Sequence, residues 1–411
     1  MAENIPPTIR EEAGSGFEAR ISPMQSEPAS TRPQPTVSGG SSDQTAGPQA
    51  PGAMPRSPEI RFGAATSAFQ RQAFAAIDLG TNNCRLLIAR PQGENFVVID
   101  AFSRVVRLGE GLAQTGQLSQ IAMDRTMAAL HVCAEKLRRR NVLLARSVAT
   151  EACRRAENGP AFIEQVRQET GIALDIISAQ EEARLAVMGC HILLEQGDGP
   201  AVIFDIGGGS TELVLIENRP GQPFRIRDWQ SVPWGVVSLT ETCGAEASSG
   251  ASRAARYAKM RELVADAFRP FAQRIAATRA ADYPHCEPRL LGTSGTVTTL
   301  ASLHLQLPQY DRRAVDGLLM PTADMRAVCI NLSTMSRDER QAQPCIGRER
   351  SDLVVSGCAI LECILDLWPA DRLGVADRGI REGILRGLMA AEGSAERSIS
   401  ALRRARREAR G

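Results

Sequence analysis

The sequence predicts an α/β protein made of two similar domains that face each other across a cleft. Two observations predict it. In Val202–Ile216, two short apolar runs flank Gly207-Gly208-Gly209-Ser210-Thr211, with Asp205 near the end of the first run and Glu212 opening the second. Apolar runs of this length bounded by glycine are strand signals, so the stretch reads as a hairpin with a glycine-rich turn. The same layout occurs in Ala76–Ile88, where Asp78 stands as Asp205 does and Gly80 as Gly207 does, 127 residues earlier. A repeat at domain-sized spacing points to two domains of one kind.

The turns suggest chemistry. Glycine tolerates positive φ and lets the backbone approach a ligand. Successive N–H groups in such a turn form a concave anion site. Ser210 and Thr211 add hydroxyl donors, while Asp205 and Glu212 set carboxylates beside the anion. Carboxylates next to phosphate hold a magnesium ion or orient a water. A plain hairpin would explain one such turn; the repeat weakens that reading. Two phosphate turns directed into one cleft would grip a polyanion or a phosphate chain.

Composition narrows the function. The chain has 411 residues, room for two or three domains. Its net charge of +1 gives no global field for a nucleic-acid polymer or a membrane surface. No apolar run approaches the ~18 residues of a membrane span, and no secretory signal is expected. The ten cysteines form no CxxC pair, which argues against zinc and disulfides and for a cytoplasmic protein. His131, His191, His285 and His304 lack metal-ligand spacing and read as core or surface residues.

In chain order, residues 1–70 are rich in Pro, Ser, Gly, Ala and Gln and predict a disordered tail. A first domain is expected over 74–200, with strands at 75–80, 84–90 and 96–102. Arg107 follows in a glycine-flanked loop, as a phosphate ligand or a solvated arginine. Ser119 caps a helix to about Arg140, whose basic end suits a helix C-terminus and reads as a solvated face. A strand over 142–149 leads through Thr150–Arg154 into a helix containing Asn158. A strand over 174–178 leads into the helix opened by Gln180-Glu181-Glu182. Acidic residues there are also ordinary helix-dipole partners.

The second domain is expected over 201–392. After the glycine hairpin and Trp229–Val237, a polar loop near 243–252 precedes a helix over 252–278, with Met260, Leu263, Ala267 and Phe268 on one stripe. Arg289–Leu300 then gives a strand, a turn of Gly292-Thr293-Ser294-Gly295-Thr296 and a helix start, an arrangement that presents backbone donors to an anion. Helices at 322–336 and 350–367 and the segment Ala376–Leu385 close the fold. Residues 393–411 are arginine-rich, a tail that frays or forms a short basic helix.

Taken in order, these motifs resemble the exopolyphosphatase / guanosine pentaphosphate phosphohydrolase (Ppx/GppA) family over roughly 74–392. Asp78-Leu79-Gly80-Thr81-Asn82-Asn83-Cys84-Arg85 resembles the family's first phosphate loop, with Thr81 and Asn83 where serine is commoner. Asp205–Glu212 resembles the second loop and Gly292–Thr296 the third. Arg107-Leu108-Gly109, Ala149-Thr150 with Arg154 and Asn158, Glu181-Glu182-Ala183-Arg184, and Arg381-Glu382-Gly383 match as well.

The resemblance implies two RNase-H-like domains of the sugar kinase–actin–chaperone superfold, with an interdomain cleft. It implies that Glu182 activates the attacking water and that Glu212 is a second essential carboxylate; Glu151 is the next candidate. Asp78 and Asp205 would hold magnesium. Phosphate would be held by Gly80, Thr81, Asn82, Asn83 and Arg85, by Gly207, Gly208, Gly209, Ser210 and Thr211, and by Gly292–Thr296. Arg107 and Arg154 would neutralise charge. Long members of the family carry a C-terminal helical domain with metal-site histidines; this chain resembles the short two-domain form.

The implied reaction is release of the terminal phosphate of inorganic polyphosphate, with guanosine pentaphosphate as the alternative substrate and a homodimer as a possible assembly. Such hydrolysis is mostly positioning and electrostatics; a water-orienting carboxylate contributes roughly 10²–10⁴-fold. A non-catalytic alarmone sensor would be expected to lack the water-activating carboxylate. A kinase or motor of the same superfold is a weaker reading, because the Gln180–Arg184 segment is not expected in those branches.

Overall fold

The computed structural model describes residues 19–20, 71–93, 95–197, 199–217, 224–244, 249–283 and 285–408. The expected tail of residues 1–70 lies outside them, apart from Ala19–Arg20 (β1), which pair with Ala145 and Leu144. The remaining described residues form two mixed sheets with helices packed against them.

The first sheet grows from the first hairpin. Ala-, Leu- and Ile-rich β2 (Ala73–Leu79) pairs antiparallel with β3 (Asn83–Gln92), setting Asp78 opposite Arg85. The strand β4 (Asn95–Val105) extends the sheet beyond β3. After the short α1 (Leu112–Thr115) comes α2 (Gln120–Arg139), which Ser119 caps by accepting the N–H of Ala122. The next strand, β5 (Val142–Ala149), lies parallel to β2. Two helices, α3 (Glu151–Arg155) and α4 (Gly159–Thr170), precede β6 (Leu174–Ile176) and α5 (Ala179–Cys190).

The second sheet repeats the plan. A hairpin of β7 (Pro200–Ile206) and β8 (Thr211–Glu217) sets Asp205 opposite Glu212, and β9 (Arg225–Val232) pairs with β8. It continues with α6 (Val236–Thr242), α7 (Gly250–Asp282) and β10 (Arg289–Thr293), which lies parallel to β7. Four helices and a strand follow: α8 (Gly295–His304), α9 (Arg312–Val315), β11 (Leu319–Pro321), α10 (Thr322–Thr334) and α11 (Arg337–Gln341). The chain finishes with α12 (Val354–Leu367), β12 (Arg372–Ala376) and α13 (Ile380–Glu408). The helix expected from 350 starts four residues later, because Arg350–Leu353 form turns, and the one expected to end at 278 runs to Asp282. The basic end beyond 393 continues α13 as helix to Glu408.

Two helices sit between the sheets. Leu185 and Ala186 of α5 pack with Ile384, Leu385 and Leu388 of α13 against the first sheet. The other face of α5, Ala183, Val187 and Cys190, packs on Ala201, Ile203 and Val214 of the second. A Cβ on Gly383 would lie 2.1 Å from the Leu185 carbonyl oxygen, so α13 meets α5 backbone to backbone. That contact is a reason for glycine in the Arg381-Glu382-Gly383 motif.

The basic end of α2 is solvent-exposed at Arg138, Arg139 and Arg140, as expected, and is tied down as well. Lys136 Nζ lies 2.6 Å from Asp100 Oδ1, and Arg140 Nε 2.8 Å from Oδ2, with Arg139 at 3.6 Å. The Lys136 and Arg140 hydrogen bonds hold the Asp100 carboxyl well below the usual carboxylate range. A depressed folded-state pKa gives stability that is present above the unfolded value, about 3.9, and is lost as pH falls through the folded value. Asp100→Asn is therefore expected to lower the melting temperature at pH 7 by a few degrees, for a network worth about 1 kcal/mol. Paired melts from pH 6 downward should show the gap to wild type closing. A gap that is absent at pH 7, or that widens in acid, would refute the tether.

Candidate active site

Each glycine turn is closed and backed in the same way. Gly80 N–H donates to Asn83 O and Gly207 N–H to Ser210 O, both at 2.9 Å. Behind the first turn, Gly109 N–H donates to Thr81 O, and Val106 and Arg107 N–H donate to Asn82 O. Behind the second, the start of α6 does the same. Val236 N–H donates to Gly207 O at 3.0 Å, Val237 N–H to Gly208 O at 2.8 Å, and Ser238 Oγ to Gly209 O at 3.0 Å. With their acceptors committed to the backing segments, the turns keep donors for the cleft, as an anion nest requires.

The turns touch each other. A Cβ on Gly208 would lie 2.9 Å from Thr81 Cβ and 3.1 Å from Asn82 N. None of Gly80, Gly207, Gly208 and Gly209 has positive φ. Close approach, and not the left-handed conformation expected from sequence, is what requires glycine at 208.

Between the turns lies an open cleft. Its wall carries Asp78, Asp205, Glu182, Glu212 and Glu151. Gly80–Asn83 and Arg85 line it from the first sheet, Gly207–Ser210 and Ser294–Thr296 from the second. Burial raises the Asp78 carboxyl against the opposing charges of Arg85 and Arg381. It lifts Asp205 to about 6 and, with the nearby Asp205 charge, Glu212 to about 7. Glu182 is pushed well above the carboxylate range by burial and by Glu212, against the pull of Arg154. Four buried carboxylates thus crowd one space, where desolvation and like charge both favour the neutral form.

Other expected site residues are employed elsewhere. Arg154 donates to Glu151 Oε2 at 2.6 Å, Glu182 Oε2 at 3.1 Å and Ile177 O at 2.8 Å. Its guanidinium holds the two glutamates and does not line the cleft. Arg107 has its backbone pinned to Asn82, at φ 49°, and is also absent from the lining. Thr211 donates to Trp234 O, and Thr293 to Arg378 O. Gly292 lies under the Phe204 ring. Ser210 Oγ donates to Glu212 Oε1 at 2.7 Å, so its hydroxyl fixes that carboxylate. Ser231 Oγ donates to the same oxygen at 2.9 Å.

Sequence reasoning missed Arg350. The residue as a whole is exposed, but its guanidinium turns inward and donates to Thr299 Oγ1 at 3.1 Å. There burial and the like charge of Arg85 push its pKa down. Neither Arg85 nor Arg350 forms an ion pair among the described residues. Nothing local marks Arg350: it stands among charged turn residues before α12 and reaches the cleft only through the tertiary fold.

The described residues contain no helix long and apolar enough to cross a membrane, and all ten cysteines are free. Comparison with known proteins agrees with this geometry. Residues 87–392 match the Ppx/GppA phosphatase family. The chain is 32% identical over 324 residues to a Mycobacterium tuberculosis protein named Exopolyphosphatase 2, across 75% of this chain and 96% of that one. The solved Ppx/GppA family member of Aquifex aeolicus superposes with TM-score 0.62 at 26% identity, covering 78% of this chain and 98% of that one. An exopolyphosphatase from Cytophaga hutchinsonii shares the fold, with TM-score 0.67 at 24% identity and coverage of 78% and 98%. The fold is thus the actin-like one that the motifs implied, and the chain belongs to the Ppx/GppA phosphatase family of phosphoanhydride hydrolases.

Proposed function

We propose that the protein releases the terminal phosphate of inorganic polyphosphate by attack of a water in this cleft. The observation that carries the reading is that Arg85 and Arg350, neither in a salt bridge among the described residues, line one cleft with two donor-bearing turns. Like charges in one desolvated space favour an anion with charge to spare. A phosphate chain has that charge along its length and can reach both turns at once. The relative named Exopolyphosphatase 2 supports the same substrate.

In this reading the turn N–H groups and the two arginines hold successive phosphates and neutralise charge on the group that leaves. Glu182 orients the water and takes its proton. To take that proton Glu182 must be ionised, which the Arg154 guanidinium favours against burial and the Glu212 charge. Arg154 fixes the Glu182 carboxylate through Oε2. Glu212, held by Ser210 and Ser231, faces the same space.

The residues present fit a magnesium ion. Burial raises the proton affinity of Asp78 and Asp205 in spite of the Arg85 charge that acts on both, and the buried Asn82 Oδ1 accepts no hydrogen bond among the described residues. No group of three or more His, Cys, Asp or Glu among the described residues forms a dedicated metal cage. Magnesium is commonly held by one or two carboxylates together with phosphate oxygens and waters. Asp78 and Asp205 would hold it, and it would supply charge neutralisation for the phosphates. The free thiols suit the cytoplasm.

Phosphate release from long-chain polyphosphate and from guanosine pentaphosphate, measured side by side with magnesium, tests the reading. Polyphosphate is expected to give the higher kcat/KM. A higher value with guanosine pentaphosphate would reassign the substrate. Arg350→Ala should raise KM about tenfold, the loss of about 1.4 kcal/mol of binding, in a protein whose circular dichroism matches wild type. An unchanged KM would remove Arg350 from the phosphate path.

A further inference from the structure

The two turns are held by different backing segments, the loop 106–109 and α6. These segments are themselves joined behind the turns. Glu241, in the last turn of α6, accepts the Gly111 N–H through Oε1 at 3.0 Å. Gly111 closes the first backing loop, in the left-handed conformation with φ 75°. The other oxygen, Glu241 Oε2, is buried with no hydrogen-bond partner among the described residues. A small cavity lies at this junction, walled by Thr81, Gly109, Gly209, Ser238 and Glu241. A fold gains nothing from an orphaned buried carboxylate oxygen, which costs desolvation. Its retention is explained if the paired oxygen does something that an apolar side chain could not.

We infer that Glu241 is a positioning residue: by tying α6 to the 106–111 loop, it sets the separation of the two phosphate turns. The inference rests on the phosphate-chain reading above. Each turn's acceptors are bonded to its own backing segment, so moving one segment moves its turn. The direct contact of Gly208 with Thr81 and Asn82 shows how narrow the allowed separation is. A substrate that bridges both turns gains affinity from a cleft already set at the right width, as preorganised sites do. Loss of the tether would leave substrate to close the cleft from its own binding energy.

That predicts a particular kinetic signature. Glu241→Ala removes the acceptor and should raise KM for polyphosphate about tenfold, with kcat within about twofold, because saturating substrate restores the closed cleft. A merely structural role would instead lower the active fraction, reducing kcat at unchanged KM. Glu241→Gln keeps an amide oxygen for the Gly111 N–H and should recover most of the lost affinity. The dissociation constant for polyphosphate, measured by calorimetry on the same three proteins, should follow KM. An alanine variant with wild-type KM and dissociation constant would overturn the inference, and so would a glutamine variant as weak as alanine. If the wild type binds polyphosphate but does not hydrolyse it, the functional reading fails, while the binding ratio still judges Glu241. If the wild type does not bind polyphosphate, both fail.

Discussion

Glu182→Gln is expected to lower kcat by roughly 10²–10⁴-fold and to leave the dissociation constant for substrate within about threefold of wild type. The amide keeps the shape and volume of the carboxyl but cannot take a proton from water. The fold should tolerate it: Arg154 keeps Glu151 and the Ile177 carbonyl as partners, and α5 keeps Ala183, Leu185, Ala186 and Val187 in the core. Single-turnover phosphate release, with binding measured separately, reads the split. Turnover within a few-fold of wild type would pass the role to Glu151. That residue lines the same cleft and shares Arg154, and Glu151→Gln would then carry the large loss.

Gly208→Val should weaken apparent substrate affinity at least tenfold, about 1.4 kcal/mol, in a protein that remains folded. The reason is the other lobe. The new Cβ would stand 2.9 Å from Thr81 Cβ and 3.1 Å from Asn82 N, with two further methyl groups beyond it. The turns must separate, and a phosphate chain then reaches one set of donors at a time. The turn lies at the cleft and outside the buried clusters, so circular dichroism and melting temperature should stay near wild type. Added magnesium should not restore affinity, because the misplaced groups are backbone donors and not metal ligands. Wild-type affinity in the folded variant would mean that substrate does not bridge the turns; the Ser294–Thr296 segment would then be the place to seek it.

The hairpins were legible because their signals are local. Asp205 ahead of three glycines and Glu212, and its echo at Asp78 and Gly80, marked both hairpin turns and a two-part plan. What lies behind the turns was not legible. The bond from Val237 to Gly208, and the one from Gly111 to Glu241, join segments that no periodicity connects. Arg154 and Arg107 show another limit, because a side chain's partner is a tertiary fact: Arg154 bonds Glu151 and Glu182, and Arg107 does not line the cleft. The basic end of α2 is the exposed face expected, but its tie to Asp100 was not legible, because Asp100 lies on a strand some 36 to 40 residues earlier.

The central claim is that water in this cleft attacks the terminal phosphate of a chain. Isotope tracing tests it most directly: polyphosphate is hydrolysed in water enriched in oxygen-18, with magnesium, and the released phosphate is analysed by mass. One labelled oxygen in each first-released phosphate is expected, at a rate that falls with Glu182→Gln. Phosphate release that occurs only with an added nucleoside diphosphate as acceptor, or released phosphate that carries no oxygen from the labelled water, would contradict the account.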